Sequence, residues 1–144
     1  MGNRAVITLK NHKPDDLGVY LHWCGCRDTV EAFLLYCELK GYRSPDTDCF
    51  GFARLCQTIG NYFNNGLSVG VDRCCRLDCN NGDNGVYEIE DWKIVGRKFA
   101  SSDHLSGYDF LKFMRDINSA QPKQIQLTDD ELVAAVERRN HHEP

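Results

Sequence analysis

Arg27-Asp28-Thr29-Val30-Glu31-Ala32-Phe33-Leu34-Leu35-Tyr36-Cys37-Glu38-Leu39-Lys40-Gly41 is the stretch on which the fold turns. Asp28 followed three residues later by Glu31 is a capping-box pattern, in which each side chain satisfies a backbone N–H that the first helical turn leaves unpaired. Val30, Phe33, Leu34 and Cys37 recur on one face at helical spacing, and Gly41 is suited to the left-handed conformation that closes a helix. A helix with one apolar face needs a surface to cover, and the sequence supplies strands on both sides of it. Leu17 to Trp23 reads as a strand that reaches the helix through the tight connection Cys24-Gly25-Cys26. Asn3 to Leu9 reads as an earlier strand, separated from it by the polar, proline-bearing turn Asn11 to Asp16.

Beyond Gly41, the residues Phe52, Leu55, Cys56, Ile59 and Tyr62 predict a second amphipathic helix, with Asp46, Thr47 or Asp48 as its cap. Asn64-Asn65-Gly66 is a stop signal, and Leu67 to Val71 alternates in the strand period. Val86 to Glu90 and Lys93 to Phe99 predict two more strands joined near Asp91-Trp92. A third helix is expected from about Gly107 to Ser119, with Leu111, Met114 and Ile117 on its apolar face, broadened by Phe110 and Phe113. After Pro122, Thr128 and Glu131 form a second capping box, and Leu132, Val133 and Val136 make a narrow stripe that suits either a docked helix or an appendage. The expectation is an α+β fold: an antiparallel sheet of four to five strands with three to four helices packed on it, because the links between strands are too short for crossover helices. Residues 1–120 are expected to form this one domain and 121–144 a C-terminal helical appendage.

The 144 residues carry 17 Lys plus Arg against 21 Asp plus Glu, a formal net charge of -4. Such a field repels a polyanion, so no direct nucleic-acid contact is expected, whereas a basic patch on a partner protein is compatible with it. The opening residues show no apolar run of signal-peptide length, and no stretch approaches the roughly 18 apolar residues of a membrane span. A cytoplasmic protein without membrane contact is the expectation. Its eight cysteines are then expected to be mostly reduced thiols, with Cys37 and Cys56 on the core-facing sides of helices.

No constellation carries a catalytic signature, and none is expected to hold a cofactor. Cys24-x-Cys26, Cys74-Cys75 and Cys79 invite a thiolate-bound zinc, yet knuckle pairs usually stand two to four residues apart and these do not. Asp78 to Gly85 is rich in oxygen ligands, but its glycine comes one place early for a calcium loop and position twelve is Ile89, so turns explain it better. His22, Cys24, Cys26 and His104 lack any local signature of a nucleophilic cysteine. Glu88 and Glu90 fall on one face of a predicted strand, which solvation explains as well as acid–base chemistry does. Gly66 to Gly70 lacks the lysine of a phosphate-binding loop. Arg27, Arg73 and Arg97 are candidate donors to an anionic ligand. Trp23 and Trp92 fall at strand or turn ends, where the ring anchors either the core or a partner.

The segments Met1 to Thr8, Val19 to Trp23, Arg27 to Phe33, Ala53 to Asn61 and Asp83 to Tyr87 resemble a family of small proteins of Firmicutes phages and integrative mobile elements. The resemblance spans roughly the first 100 residues. Relatives place Asn-Gly-Gly-like residues where this chain has Cys24-Gly25-Cys26, so the resemblance implies no metal role for those thiols. It implies a non-catalytic binding protein that inhibits a host factor, such as a bacterial immune nuclease of the CRISPR type. The expected partner surface combines the His22 to Asp28 loop with the Asp78 to Asn84 loop, through His22, Trp23, Arg27, Asp28, Asp78 and Asp83. Two other functions fit the residues: a sponge for an anionic nucleotide-like signalling molecule, and a thiol-ligated zinc protein.

Overall fold

The sequence Ala5-Val-Ile-Thr-Leu9 can be buried on both faces, which is what a central strand requires. In the computed structural model, which describes residues 2–64, 68–100 and 103–142, this segment is β1 (Ala5–Leu9) and lies mid-sheet. It is joined by β2 (Leu17–Leu21), β3 (Val69–Arg73), β4 (Val86–Glu90) and β5 (Lys93–Lys98) in the order β3-β2-β1-β4-β5. Four helices, α1 (Arg27–Leu39), α2 (Cys49–Tyr62), α3 (Phe110–Ser119) and α4 (Asp129–His142), complete an α+β architecture among the described residues. The predicted stop at Asn65-Gly66 and the predicted strand start at Leu67 lie outside them.

Three of the four ladders are antiparallel, and β1 runs parallel to β4 with Val6 opposite Val86 and Thr8 opposite Glu88. The parallel β1–β4 pair departs from the wholly antiparallel sheet expected from the short links, because β1 and β4 are not consecutive in the chain. Nor does the β3–β4 link need a helix: residues 74–85 cross the sheet as loop and one 3-10 turn (Cys74–Arg76). That crossover covers the face bearing Val6, Thr8 and Gly18. Cys74 Sγ lies 3.3 Å from Thr8 Oγ1, and a Cβ on Gly18 would sit 3.0 Å from Leu77 Cδ1.

Ala5, Ile7, Val19, Leu21, Tyr87 and Ile89 point to the other face, where the helices pack. Phe33 of α1 is fully buried there, with its ring centroid 5.5 Å from Tyr62 and 5.6 Å from Phe113. Each such side chain contributes about 1.5–3 kcal/mol relative to exposure. The polar groups in this layer are matched: Tyr36 Oη donates to Asn118 Oδ1 (2.7 Å), which also accepts from Leu127 N (2.8 Å), while Asn118 Nδ2 donates to Leu127 O (2.9 Å). Leu132, Ala135 and Val136 of α4 are buried, with Leu132 and Val136 in the same core as α1 and α3.

The helix ends show which local signals the fold uses. Thr128 and Glu131 form the reciprocal capping box of α4, with Glu131 Oε1 3.0 Å from Thr128 N and Thr128 Oγ1 3.2 Å from Glu131 N. The Asp28–Glu31 box does not form: α1 begins two residues earlier than an Asp28 cap requires, Cys26 is its N-cap without a side-chain bond, and both carboxylates face other partners. At the far end of α1, Gly41 (φ +73°) and Tyr42 donate back to Glu38 O and Cys37 O, a Schellman ending. Asp48 caps α2 through Phe50 N, and Asp109 caps α3 through Lys112 N, so α3 starts at Phe110 and not at Gly107. The β4–β5 turn puts both Asp91 and Trp92 at positive φ, and the buried Trp92 indole is held by Tyr42 O at 3.2 Å.

Candidate partner-binding site

The residues ahead of β1 join the two loops singled out in the sequence. Asn3 N donates to His22 O (2.8 Å) and Asn3 O accepts from Gly25 N (2.9 Å), while Asn3 Nδ2 reaches Cys26 Sγ (3.1 Å). On the opposite side Asn84 N donates to Arg4 O (3.0 Å) and Asn84 Nδ2 to Asn3 Oδ1 (2.5 Å). Tyr87, whose side chain is in the core, sends its hydroxyl to Gly25 O (2.6 Å). The β2–α1 connection and the end of the crossover therefore form one rigid surface at the end of the sheet.

Arg4 fixes the acidic side of this surface. Its Nε and backbone N both donate to Asp83 Oδ2 (2.8 and 3.0 Å), and its Nη1 lies 3.6 Å from Asp78. The Arg4 bond holds the Asp83 carboxyl below the usual carboxylate range. Asn81 closes the loop internally, its Oδ1 accepting from Asp83 N and Gly85 N and its Nδ2 donating to Asp78 O. The oxygen-rich run is thus a self-bonded turn.

Segment 103–108 forms the third wall. Arg27 and Arg97 both pair with Asp103, and Arg27 N donates to His104 O (3.0 Å). Arg97 lies over the Tyr87 ring at 3.8 Å and donates to Asn84 O (2.5 Å), so one side chain ties this wall to the crossover. Asp28 accepts from Ser106 N (3.0 Å) and Ser106 Oγ (2.7 Å). This clamp is the use of Asp28 that its capping-box spacing conceals.

Of the six residues named from sequence, His22, Trp23, Arg27, Asp28 and Asp83 gather on this surface, and Asp78 flanks it through Arg4. Their availability differs. Asp28, Asp83 and Arg27 are held by Ser106, Arg4 and Asp103 respectively, and His22 Nδ1 lies 3.0 Å from Tyr20 Oη with its ring edge-on to Trp23 at 5.1 Å. Trp23 is 45% exposed; on the neighbouring wall Leu105 is 72% exposed, while Tyr108, 57% exposed, stacks on Phe113 of α3 at 5.8 Å. Leu105 escapes sequence reasoning because it sits in an aperiodic segment, and Tyr108 because the helix expected from Gly107 absorbs it, whereas α3 starts at Phe110. Their only signal is a large apolar residue within the polar run before a helix cap.

The other constellations do not converge. The Cys24/Cys26 pair lies near Asn3 and Cys74 near Thr8, at opposite ends of β1 and about 16 Å apart at strand rise. Among the described residues no group of three or more His, Cys, Asp or Glu side chains is placed to hold a metal ion, and all eight thiols are free. Burial raises the pKa of Cys24, against a hydrogen bond from Tyr62, so this thiol is not activated beside His22. Arg73 sits on β3 with Asp15 (3.6 Å), away from Arg27 and Arg97. Glu88 lies between His12 (3.4 Å) and Lys98 (3.7 Å) without Glu90.

A cavity of about 700 Å³ lies elsewhere, between α1, α4 and the β4–β5 turn. Its floor residues Leu34, Trp92 and Ala135 are already buried, and its rim carries the internal pairs Glu31–Arg139 and Glu38–Lys93. No helix among the described residues is long and apolar enough to cross a membrane. Compared with known protein families, curated proteins and solved structures, the chain shows no match to any of them.

Proposed function

We propose that this chain is a non-catalytic binding protein that occupies a host factor through the surface around Trp23, in the manner of a phage or mobile-element inhibitor of a bacterial immune nuclease. The observation that carries this reading is the anatomy of that surface. Exposed Trp23 and Leu105 belong to segments whose charges are already fixed by internal partners, and binding hot spots are apolar anchors on a preorganised frame. Asp78, 54% exposed, adds an acidic margin suited to a basic face such as a nuclease presents to its nucleic acid.

The test is protection of a plasmid from CRISPR nuclease cleavage in a Firmicutes host that expresses the chain. Wild type is expected to protect, and Trp23→Ala with Leu105→Ala to lose protection at unchanged stability. No protection by the wild type across representative nuclease types would remove the inhibitor reading. Protection that survives the double substitution would remove the surface.

A further inference from the structure

The two edges of the sheet are managed differently. β5 carries Lys93 and Lys98 at its ends and a register shift opposite Glu88 and Ile89, devices that keep an edge from pairing with another chain. β3, Val69-Gly-Val-Asp-Arg73, has neither terminal lysines nor a bulge, and its five residues pair with β2 in unbroken register. Among the described residues, no other element hydrogen-bonds to the outer backbone edge of β3, although one outward amide, Arg73 N, already donates to the Asp72 carboxylate (2.7 Å) and leaves the Val69 and Val71 amides for a partner. Val71 is 48% exposed there, and Leu17, on the same face through the Leu17–Arg73 and Val19–Val71 pairs, is 52% exposed.

We infer that the outer edge of β3 is a self-association surface, on which a second copy pairs its own β3 antiparallel about a twofold axis through Val71. In that register Val71 faces the partner's Val71, Val69 faces the partner's Arg73, and Gly70 faces the partner's Asp72. Each copy thereby covers an apolar side chain of the other, with no like charges directly opposed. The corresponding antiparallel pairing of β5 would set Lys93 against the partner's Lys98 and Ile94 against the partner's Arg97. The charge pattern thus selects β3 for pairing and guards β5. The product is a continuous sheet through both copies, with Val71 and Leu17 of each lining one face at the junction. This inference is independent of the Trp23 surface, which lies at the end of the sheet.

Sedimentation velocity under reducing conditions, from about 5 to 500 µM, tests it, because edge pairing of a few residues gives a weak association in the micromolar range. The 16.4 kDa chain is expected to move from one copy to two. Val71→Lys, which opposes like charges on the axis, is expected to raise the dissociation constant at least tenfold, and Val95→Lys on β5 to leave it unchanged. A one-copy mass throughout would overturn the inference, as would a dimer indifferent to Val71→Lys. Should that variant lose its fold, amide exchange of the wild type decides: protection of the outward β3 amides must grow with concentration, and its absence is equally decisive against pairing.

Discussion

Arg97→Met is the substitution that best probes how the proposed surface is held. The Arg97 side chain is only 15% exposed. It lies over Tyr87, donates to Val86 O (3.3 Å) and Asn84 O (2.5 Å), and pairs with Asp103. Methionine keeps the aliphatic stem and removes the rest. The lost cation–π contact is worth about 1 kcal/mol at a partly desolvated site, and the lost charge-assisted bond to Asn84 O about 1.5–3 kcal/mol. The Asp103 pair adds little, since that carboxylate is 45% exposed and keeps Arg27. The expected cost is about 3 kcal/mol, read as a lower urea midpoint at unchanged m-value. Hydrogen exchange should also rise across residues 103–108, the wall that Arg97 anchors. Arg97→Lys retains a charge without the planar stack and should recover about half of the loss. A cost below about 1 kcal/mol, or unchanged exchange in 103–108, would refute the view that one side chain ties this wall to the crossover.

Gly85 (φ +66°) offers a sharp backbone test: a Cβ there would run into Lys98 O and the Phe99 backbone, so Gly85→Ala is expected to cost about 3 kcal/mol in urea unfolding. Timed alkylation should modify the exposed Cys49 and Cys75 first and Cys37 last, since burial pushes the Cys37 thiol up to about 12. The same raised thiol contributes stability that is complete below the ordinary thiol range near pH 8.5 and lost as pH climbs toward 12, so the melting temperature should fall on the alkaline side. On the acid side the carboxyls of Asp83, Asp129 and Glu131 are held low by Arg4, Arg115 and the Thr128 cap. Their stabilisation is present above the ordinary carboxylate range, about pH 4, and is lost as pH falls through the depressed values. Because these groups are exposed or nearly so, Asp129→Asn with Glu131→Gln should flatten the acid limb only slightly, and less in high salt.

Much of the fold is legible because its cues are local. The stripe of Val30, Phe33, Leu34 and Cys37, the alternation in β4 and the Thr128–Glu131 box each act within one or two turns of chain. Partners far apart in sequence leave no such mark. Asp28 resembles a cap from its neighbours, yet its carboxylate is engaged by Ser106, 78 residues away. The parallel β1–β4 pair is invisible for the same reason, since each strand looks alike whichever neighbour it takes. At the candidate site, Trp23 stands out by residue type and position. Arg4, Arg97 and Asp103 acquire their roles only when three remote segments meet, and the two tryptophans separate only in space: Trp92 is 4% exposed and Trp23 45%.

The position of β1 also sets an order of events. One side of β1 pairs with β2 through a hairpin, but its other side waits for β4, whose residues lie eighty places later in the chain. Closing so long a loop comes late and slowly compared with forming a hairpin or a helix. A chain emerging from the ribosome therefore holds the apolar Ala5–Leu9 segment with one raw edge until Val86–Glu90 appears. Refolding should be limited by that docking step. Substitutions in β4 should slow it, whereas substitutions in α4, which takes no part in that pairing, should mainly speed unfolding.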